Sequence, residues 1–265
     1  MLESKKSLRP SILLTTTTMN AVLYAVFSYT TAYIPSPWGV GQFRPAVVIP
    51  SFFATIFGPL CGGVGAAIGT LIVDSVKHGQ LYAGSLLAAV PGNFVGFYLF
   101  GYIVQKFSWR RFIIASEITL TVANAFVAFL YVFLFKVLYL NLPTYGGESL
   151  SAQVAFSLGL TLWWFVTMLP FVLLFTPLLI RAASWAFPTV IPKEVREDSL
   201  QKELSTKSFS LAMIGPGFIM IVLGLATNLI PLGVYSGSIQ LMLYVSGATL
   251  AILGSLVYIK KKPTS

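Results

Sequence analysis

This chain of 265 residues has little of what most enzyme chemistry needs: one cysteine, one histidine and only 9% charged residues. The single cysteine, Cys61, excludes a disulfide within the chain. One histidine and one cysteine also exclude the usual zinc constellations. There is no GxxxxGKS or GxxxxGKT phosphate loop, no HExxH and no GxSxG. We therefore expect no metal, no cofactor and no enzymatic activity of the chain itself.

Apolar residues dominate what is present. The chain is 56% hydrophobic with a mean hydropathy of +0.83, which is far outside the range of soluble proteins. A net charge of +9 is compatible with nucleic-acid binding, but the basic residues stand at the ends of apolar runs, where membrane proteins carry them. The basic start is followed by an apolar stretch too long for a cleaved signal peptide, so we expect a retained first span. The composition indicates a polytopic membrane protein.

The apolar runs divide this membrane protein into segments. A stretch rich in charge from Lys193 to Lys207, opened by Pro188 and Pro192, separates a group of six spans from a final pair. The sequence thus predicts an all-α polytopic membrane helix bundle. It has a six-helix substrate-binding part (1–187), a solvated cytoplasmic linker that could be partly helical (188–207) and a C-terminal two-helix membrane hairpin (208–265). The predicted spans are 11–34, 45–57, 60–77, 82–106, 112–140, 152–186, 208–230 and 238–259.

The distribution of Lys and Arg supports this division. Eight spans place 14 basic residues on the side of the N-terminus and 3 on the other side. If 45–77 crossed once as a single kinked helix, the split would be 12 to 5. Cytoplasmic loops carry the excess of Lys and Arg, so the first arrangement is favoured. It places both termini in the cytoplasm, the chain in the cell membrane, and Arg44 and Asp74 on the outer face.

The segment 44–78 is the most informative part of the sequence. Its first apolar run, Pro45–Phe57, would make about 20 Å of helix, against a hydrocarbon core of about 30 Å. Gly58-Pro59 then separates it from a second run that ends near Asp74. Short membrane segments interrupted by glycine or proline point to an embedded binding site. We therefore predict a hairpin whose charged ends face a ligand.

Arg44 stands at the base of the loop that would cover such a ligand. This loop also carries Trp38 and Gln42, and we take all three residues as candidate ligand contacts. The alternative is an interfacial aromatic belt with a snorkelling arginine. Placing a carboxylate such as that of Asp74 near the membrane costs free energy unless it is paired with a cation or hydrated. Arg44 or Lys77 could provide that pairing. The alternative for Asp74 is an ordinary aspartate on a short outer loop.

The remaining candidates lie close to this loop or deeper in the bundle. Lys77 and His78 follow Asp74 at the end of the hairpin, and His78 is at helical spacing from Asp74. Asn93 follows Pro91-Gly92 in the fourth span, where its amide needs a partner from a neighbouring helix or a ligand. Trp163 lies within the sixth span, where packing is the alternative to ligand stacking. The basic side chains favour an anionic or carboxylate-bearing ligand.

Small residues mark possible close contacts between helices. Ala21 and Ala25 form an AxxxA pair in the first span, which is a flat face for another membrane subunit or for contact within the bundle. The glycines 58/62 and 65/69 form two GxxxG pairs, for which packing is the favoured interpretation.

Together these features resemble the substrate-binding S components of energy-coupling factor (ECF) vitamin transporters. The resemblance covers about residues 11–187. It depends on Ala21-Val22-Leu23-Tyr24-Ala25 and on Phe57-Gly58-Pro59 followed by Gly62, Gly65 and Gly69, with Asp74 after them. It implies a six-span bundle with a ligand under the first outer loop, Ala21 and Ala25 docking to a transmembrane coupling subunit, and ATPase subunits as further partners. The linker and the last two spans depart from that family's six-span form.

We therefore expect the membrane-embedded, substrate-binding subunit of an ATP-driven importer, taking up a small, vitamin-like molecule. One alternative is an accessory or structural subunit of a larger membrane complex, in which Arg44, Asp74 and Asn93 satisfy one another or a neighbouring chain. The other is a stand-alone secondary transporter, although the sequence shows no inverted repeat.

Overall fold

The computed structural model describes residues 9–36, 39–201, 206–226 and 236–259. These residues form helices and their connections, with one isolated β-bridge between Pro35 and Gln42. Seven helices among them are long and apolar enough to cross a membrane, and the helix Pro45–Phe57 is apolar but shorter. The prediction of an all-α polytopic helix bundle is confirmed.

Most predicted spans match the observed helices to within a few residues. The first span is shorter than predicted because the chain leaves the helix after Tyr29 and turns. Residues 227–230 of the seventh predicted span lie outside the described residues. The helices are α1 (Pro10–Tyr29), α2 (Val48–Phe57), α3 (Pro59–His78), α4 (Val90–Ile103), α5 (Trp109–Phe129), α6 (Leu150–Ala186), α7 (Lys193–Gln201), α8 (Thr206–Ala226) and α9 (Ser236–Ile259).

The predicted hairpin of α2 and α3 is present. Gly58 joins the two helices with φ +89° and ψ −176°, a conformation that favours glycine, and Pro59 begins α3, where its missing N–H costs nothing. Ala54 and Gly62 each lie four residues from Gly58, on opposite sides of the turn. A Cβ added to Gly62 would lie 2.5 Å from the Ala54 Cβ. Glycine at this position is what allows α2 to fold back tightly against α3.

The middle of α1 lies beside the first half of α3. Asn20 Nδ2 donates to the Cys61 carbonyl at 2.8 Å, and a Cβ on Gly65 would collide with the Asn20 side chain. Further along, a Cβ on Gly69 would lie 2.7 Å from the Ala21 carbonyl oxygen. The two helices therefore run parallel at close range, and Gly65 and Gly69 of the second GxxxG pair serve this packing.

The bundle has two ends, which we name by residues. The Gly58 end contains the α2–α3 turn and the end of α4, where a Cβ on Gly101 would touch Pro59. Phe112, near the start of α5, contacts Phe209 at the start of α8, and Ser210 bonds the Gly254 carbonyl near the end of α9. The opposite end, where Arg44 meets Asp74, we call the cavity end. Thus α1 begins and α9 ends at the same end of the bundle.

Two π-helical segments, Ser85–Ala89 and Leu130–Tyr139, interrupt regular α-helix at the cavity end. The first leads into α4, the second extends α5, and the two pack against each other. π-Helical turns are rare, and many occur at functional sites, because the extra residue rotates the side chains that follow. In this chain both segments contribute side chains to the cavity described below.

Part of the charged linker predicted for 188–207 is helical. Its residues 193–201 form α7, which packs on α6 through buried Ile191, Val195 and Ser199. Arg181 Nε donates to the Ser199 carbonyl at 3.0 Å. Residues 202–205 lie outside the described part of the chain. The apolar side chains interspersed in this charged stretch explain why much of it docks against the bundle.

A candidate ligand-binding cavity

A cavity of about 320 Å³ opens at the cavity end of the bundle. Its walls combine charged, amide and aromatic side chains with the glycines of the loop that follows α1. Every helix from α3 to α6, or the segment leading into it, contributes to the lining. The lining residues are Pro35, Gly39, Val40, Gly41, Gln42, Arg44, Asp74, Lys77, His78, Tyr82, Gly84, Ser85, Ala89, Asn93, Asn124, Val127, Tyr131, Lys136, Tyr145, Trp164 and Met168.

Arg44 and Asp74 form a buried ion pair in the cavity wall. Arg44 Nη2 lies 2.7 Å from Asp74 Oδ1, and the two residues are 9% and 5% exposed. The same guanidinium donates to Gln42 Oε1 at 3.1 Å, while Ser85 Oγ donates to Asp74 Oδ2 at 2.8 Å. Both carboxylate oxygens are therefore partnered, which offsets the cost of burying the charges. The arrangement fixes the start of α2 against the end of α3.

Lys77 and His78 also line the cavity, but each has a local partner. Lys77 Nζ donates to the Ala32 carbonyl at 2.5 Å and lies 5.5 Å from the ring centroid of Tyr33. His78 Nδ1 is 2.7 Å from the Asp74 carbonyl oxygen, and its ring stacks on Tyr82 at 3.8 Å. His78 therefore contacts the Asp74 backbone and not its carboxylate. Lys77 anchors the end of the first helix as much as it faces the cavity.

The two asparagines of the lining have few partners of their own. Asn93 Nδ2 donates to Thr70 Oγ1 at 2.9 Å, which links α4 to α3. Asn124 is buried, and its amide has one contact among the described residues, 3.8 Å from Nδ2 to the Met168 sulfur. A thioether is a weak acceptor, so most of the hydrogen-bonding capacity of Asn124 remains available. Asn124 was not among the site residues predicted from the sequence.

The tryptophan in the cavity is Trp164 and not the predicted Trp163. Trp164 Nε1 donates to the Gln42 carbonyl at 3.2 Å, and a Cβ on Gly41 would lie 2.8 Å from the Trp164 ring. Trp164 therefore supports the loop that forms one wall of the cavity. Trp163 does not line it, and its buried Nε1 has no partner among the described residues. The prediction for Trp38 falls outside the described residues.

Lys136 is the charged residue that sequence reasoning missed. Its Nζ lies 5.3 Å from the ring centroids of Tyr131 and Phe135 and 4.9 Å from that of Tyr145. No ion pair or hydrogen bond joins this ammonium group to the described residues. Its position depends on the π-helical segment of 130–139, for which the sequence contains no recognisable signal. The one sequence feature that pointed to Lys136 was the presence of a single charged residue near the end of the apolar run 112–140.

Ala21 and Ala25 are 3% and 7% exposed and lie on the side of α1 that contacts α3. For the AxxxA pair, the sequence left open a face for another membrane subunit or a contact within the bundle, and the structure has the contact within the bundle. The outward side of α1 instead carries exposed apolar side chains, among them Val22 and Val26. A partner that reached α1 would meet these larger residues.

The cavity combines fixed charges, spare amide groups and aromatic faces, which are the elements of a site for a small polar molecule. Within the described part of the chain, no three His, Cys, Asp or Glu residues are grouped so as to hold a metal ion. No protein-family model, no curated protein and no solved structure matches this chain.

Proposed function

We propose that this chain is the membrane-embedded, substrate-binding subunit of an ATP-driven importer of the ECF type, and that its substrate is a small vitamin-like molecule. The observation that carries the proposal is the cavity of about 320 Å³ at the cavity end. Pockets of about 300–1,000 Å³ with a few convergent polar groups are typical of small-molecule sites. The chain itself would perform no chemistry, and ATPase subunits would supply the energy.

The loop after α1 supports this function. It enters from the end of α1, forms the bridge between Pro35 and Gln42, and lies against Trp164. Gly39 and Gly41 take positive φ values of 71° and 77° there, so the backbone can turn closely over the cavity. A covering loop of this kind must open for a ligand to enter. With Arg44 at its base, the movement would be anchored by the ion pair to Asp74.

Membrane orientation follows from the same proposal. The distribution of 14 and 3 basic residues favours a cytoplasmic Gly58 end and an outward-facing cavity end. A substrate-binding subunit of an importer needs its site accessible from outside. The transmembrane coupling subunit and the ATPases are partners that the family resemblance implies. Since Ala21 and Ala25 are buried, such docking would use another face than the one they form.

The alternative of an accessory subunit without a ligand is favoured by one observation. Arg44 and Asp74 satisfy each other, and Asn93 bonds Thr70, as that alternative requires. It leaves the cavity itself unexplained, together with the spare amide of Asn124 and the ammonium of Lys136. We therefore prefer the binding function.

The test is to purify the chain from membranes and identify small molecules that leave with it, together with thermal-shift measurements against a panel of water-soluble vitamins. Ala89→Phe should fill the cavity, since Ala89 lines it, and should abolish ligand retention. Ala125→Phe is the matched control, because Ala125 is also half-buried but lies outside the lining. If the wild-type chain yields no small molecule and no vitamin stabilises it, the binding function is wrong.

A further inference from the structure

We infer that the bound molecule is a small carboxylate-bearing compound with a planar ring, and that its carboxylate pairs with Lys136. This inference rests on the proposed binding function and specifies the substrate class. It follows from which cationic side chains in the cavity wall already have a hydrogen-bond partner and which do not.

Among the described residues, three cationic side chains line the cavity, and two of them already have hydrogen-bond partners. Arg44 is always charged in proteins, but its charge is matched by Asp74 at 2.7 Å. Lys77 donates to the Ala32 carbonyl and lies over the Tyr33 ring. Lys136 alone among the three has neither a carboxylate nor a hydrogen-bond acceptor among the described residues. Neither lysine has an anion among the described residues, but the unused N–H donors are concentrated at Lys136.

The surroundings of Lys136 hold its ammonium in place without using its N–H groups. The rings of Tyr131, Phe135 and Tyr145 lie at 4.9–5.3 Å, within the range of cation–π attraction. Ring faces attract the charge but leave an ammonium group's three directed donors available. A cation near the hydrocarbon core without an anion is expensive, so a ligand that brings a negative charge gains from neutralising it.

The donors that remain available argue for a carboxylate and against a phosphate. Lys136 is the one of the three cations without a hydrogen-bond acceptor among the described residues, and its single charge balances one negative charge, whereas a phosphate monoester carries nearly two at neutral pH. Lys and Arg clusters are the usual partners of phosphate, and here Arg44 is already held by Asp74. A monocarboxylate therefore fits the electrostatics of this wall better.

The planar ring follows from the other walls. Tyr82, Tyr131, Tyr145 and Trp164 present aromatic surface to the cavity, and Asn124 offers an amide that can both donate and accept. A ring with a polar edge would use these groups while its carboxylate reaches Lys136. The volume of about 320 Å³ accommodates one or two fused rings.

The experiment compares Lys136→Met with Lys106→Met in the full chain. Both changes remove one positive charge, but Lys106 is exposed, lies outside the lining and follows α4 at the Gly58 end. Two readouts are taken: the identity and amount of the co-purified molecule, and thermal shifts with paired probes. The probes are benzoate with benzamide, nicotinate with nicotinamide, and phenyl phosphate as the phosphate counterpart of benzoate.

The expected result is a co-purified carboxylate whose retention falls about tenfold or more in Lys136→Met and stays unchanged in Lys106→Met. The carboxylate of each probe pair should stabilise the wild-type chain more than its amide does, and Lys136→Met should remove that difference. The inference is overturned, with the binding function intact, if the co-purified molecule is neutral or cationic, if Lys136→Met retains it fully, or if phenyl phosphate stabilises more than benzoate. If the wild-type chain retains nothing, and neither the probes nor a vitamin panel shift its unfolding, the binding function fails and this inference fails with it.

Discussion

Arg44 Nη2 and Asp74 Oδ1 lie 2.7 Å apart, although 30 residues separate them in the chain. The contact is possible because α2 and α3 fold back on each other at Gly58, so that both ends of the hairpin reach the cavity end. The pair closes the hairpin and forms part of the cavity wall. It holds the two ends of the hairpin together. It also neutralises the charge of Arg44, which is then not available to a ligand.

Breaking this pair should destabilise the bundle strongly. Arg44→Ala leaves the Asp74 carboxylate buried without its cationic partner, which costs about 3–5 kcal/mol in comparable buried pairs. The measurement is the free energy of unfolding in detergent micelles. Lys193→Ala is the control, because the Lys193–Glu197 pair is 3.7 Å long with side chains 77% and 45% exposed, and should cost under about 1 kcal/mol.

The double variant Arg44→Ala/Asp74→Ala should recover a large part of that loss, because it removes the orphaned charge as well. Equal losses in Arg44→Ala and in the double variant would mean that the pair contributes nothing through its charges. In that case the hairpin would be held by packing alone.

Gly62→Ala should destabilise the chain by about 1–3 kcal/mol through overpacking. The added methyl would lie 2.5 Å from the Ala54 Cβ and 3.0 Å from the Phe97 carbonyl oxygen. Gly237→Ala near the start of α9 is the control, since Gly237 is exposed and an added Cβ there meets nothing within 4 Å. That change should be neutral or stabilising by up to about 1 kcal/mol, because alanine favours helix. In thermal or chemical unfolding, the Gly62 variant should therefore lose stability, whereas the control should keep or gain stability.

Trp164→Phe should lower the stability of the chain by about 1 kcal/mol, since it removes the hydrogen bond from Nε1 to the Gln42 carbonyl. Trp163→Phe removes an indole nitrogen that has no partner among the described residues and should be neutral or stabilising. Unfolding of the two adjacent variants in the same detergent checks this contrast. A larger loss from Trp163→Phe would show that the loop is not supported by Trp164.

The eight-segment arrangement can be tested by cysteine labelling in intact cells. With the buried Cys61 changed to Ser, Gln80→Cys should react with a membrane-impermeant maleimide added outside, because Gln80 is exposed just beyond α3 at the cavity end. Lys106→Cys, exposed beyond α4 near the Gly58 end, should react only after the cells are opened. The reverse pattern would place the cavity on the cytoplasmic side and contradict an importer.

Much of the bundle was predictable because hydropathy and segment length are local properties. The short run Pro45–Phe57, the break at Gly58-Pro59 and the charges beyond each end were enough to predict the hairpin. The position of Arg44 and Asp74 at one end follows from that hairpin. The docking of the linker on α6 was harder to predict, because Ile191 and Val195, the apolar residues that pack there, are few among its charged residues.

The site could be predicted only in part. Gln42, Arg44, Asp74, Lys77, His78 and Asn93 all line the cavity, whereas Trp163 is replaced there by its neighbour Trp164. A difference of one position turns a helical side chain by about 100°, since a helix has 3.6 residues per turn. The sequence does not show how α6 is rotated about its axis, so it could not indicate which of the two tryptophans faces the cavity.

The sequence alone determined which segments are helices in a membrane and where the chain reverses, because those properties depend on composition along a short stretch. Only the tertiary structure decided which polar side chains share one cavity. The π-helical segments carry Ser85 and Lys136, which line it, and the packing of α1 on α3 buries Ala21 and Ala25. Such choices depend on helix rotation and on contacts between distant segments, which no local pattern records. Among the cations of the cavity wall, folding paired Arg44 with Asp74, bonded Lys77 to the Ala32 carbonyl and left Lys136 without a hydrogen-bond acceptor among the described residues.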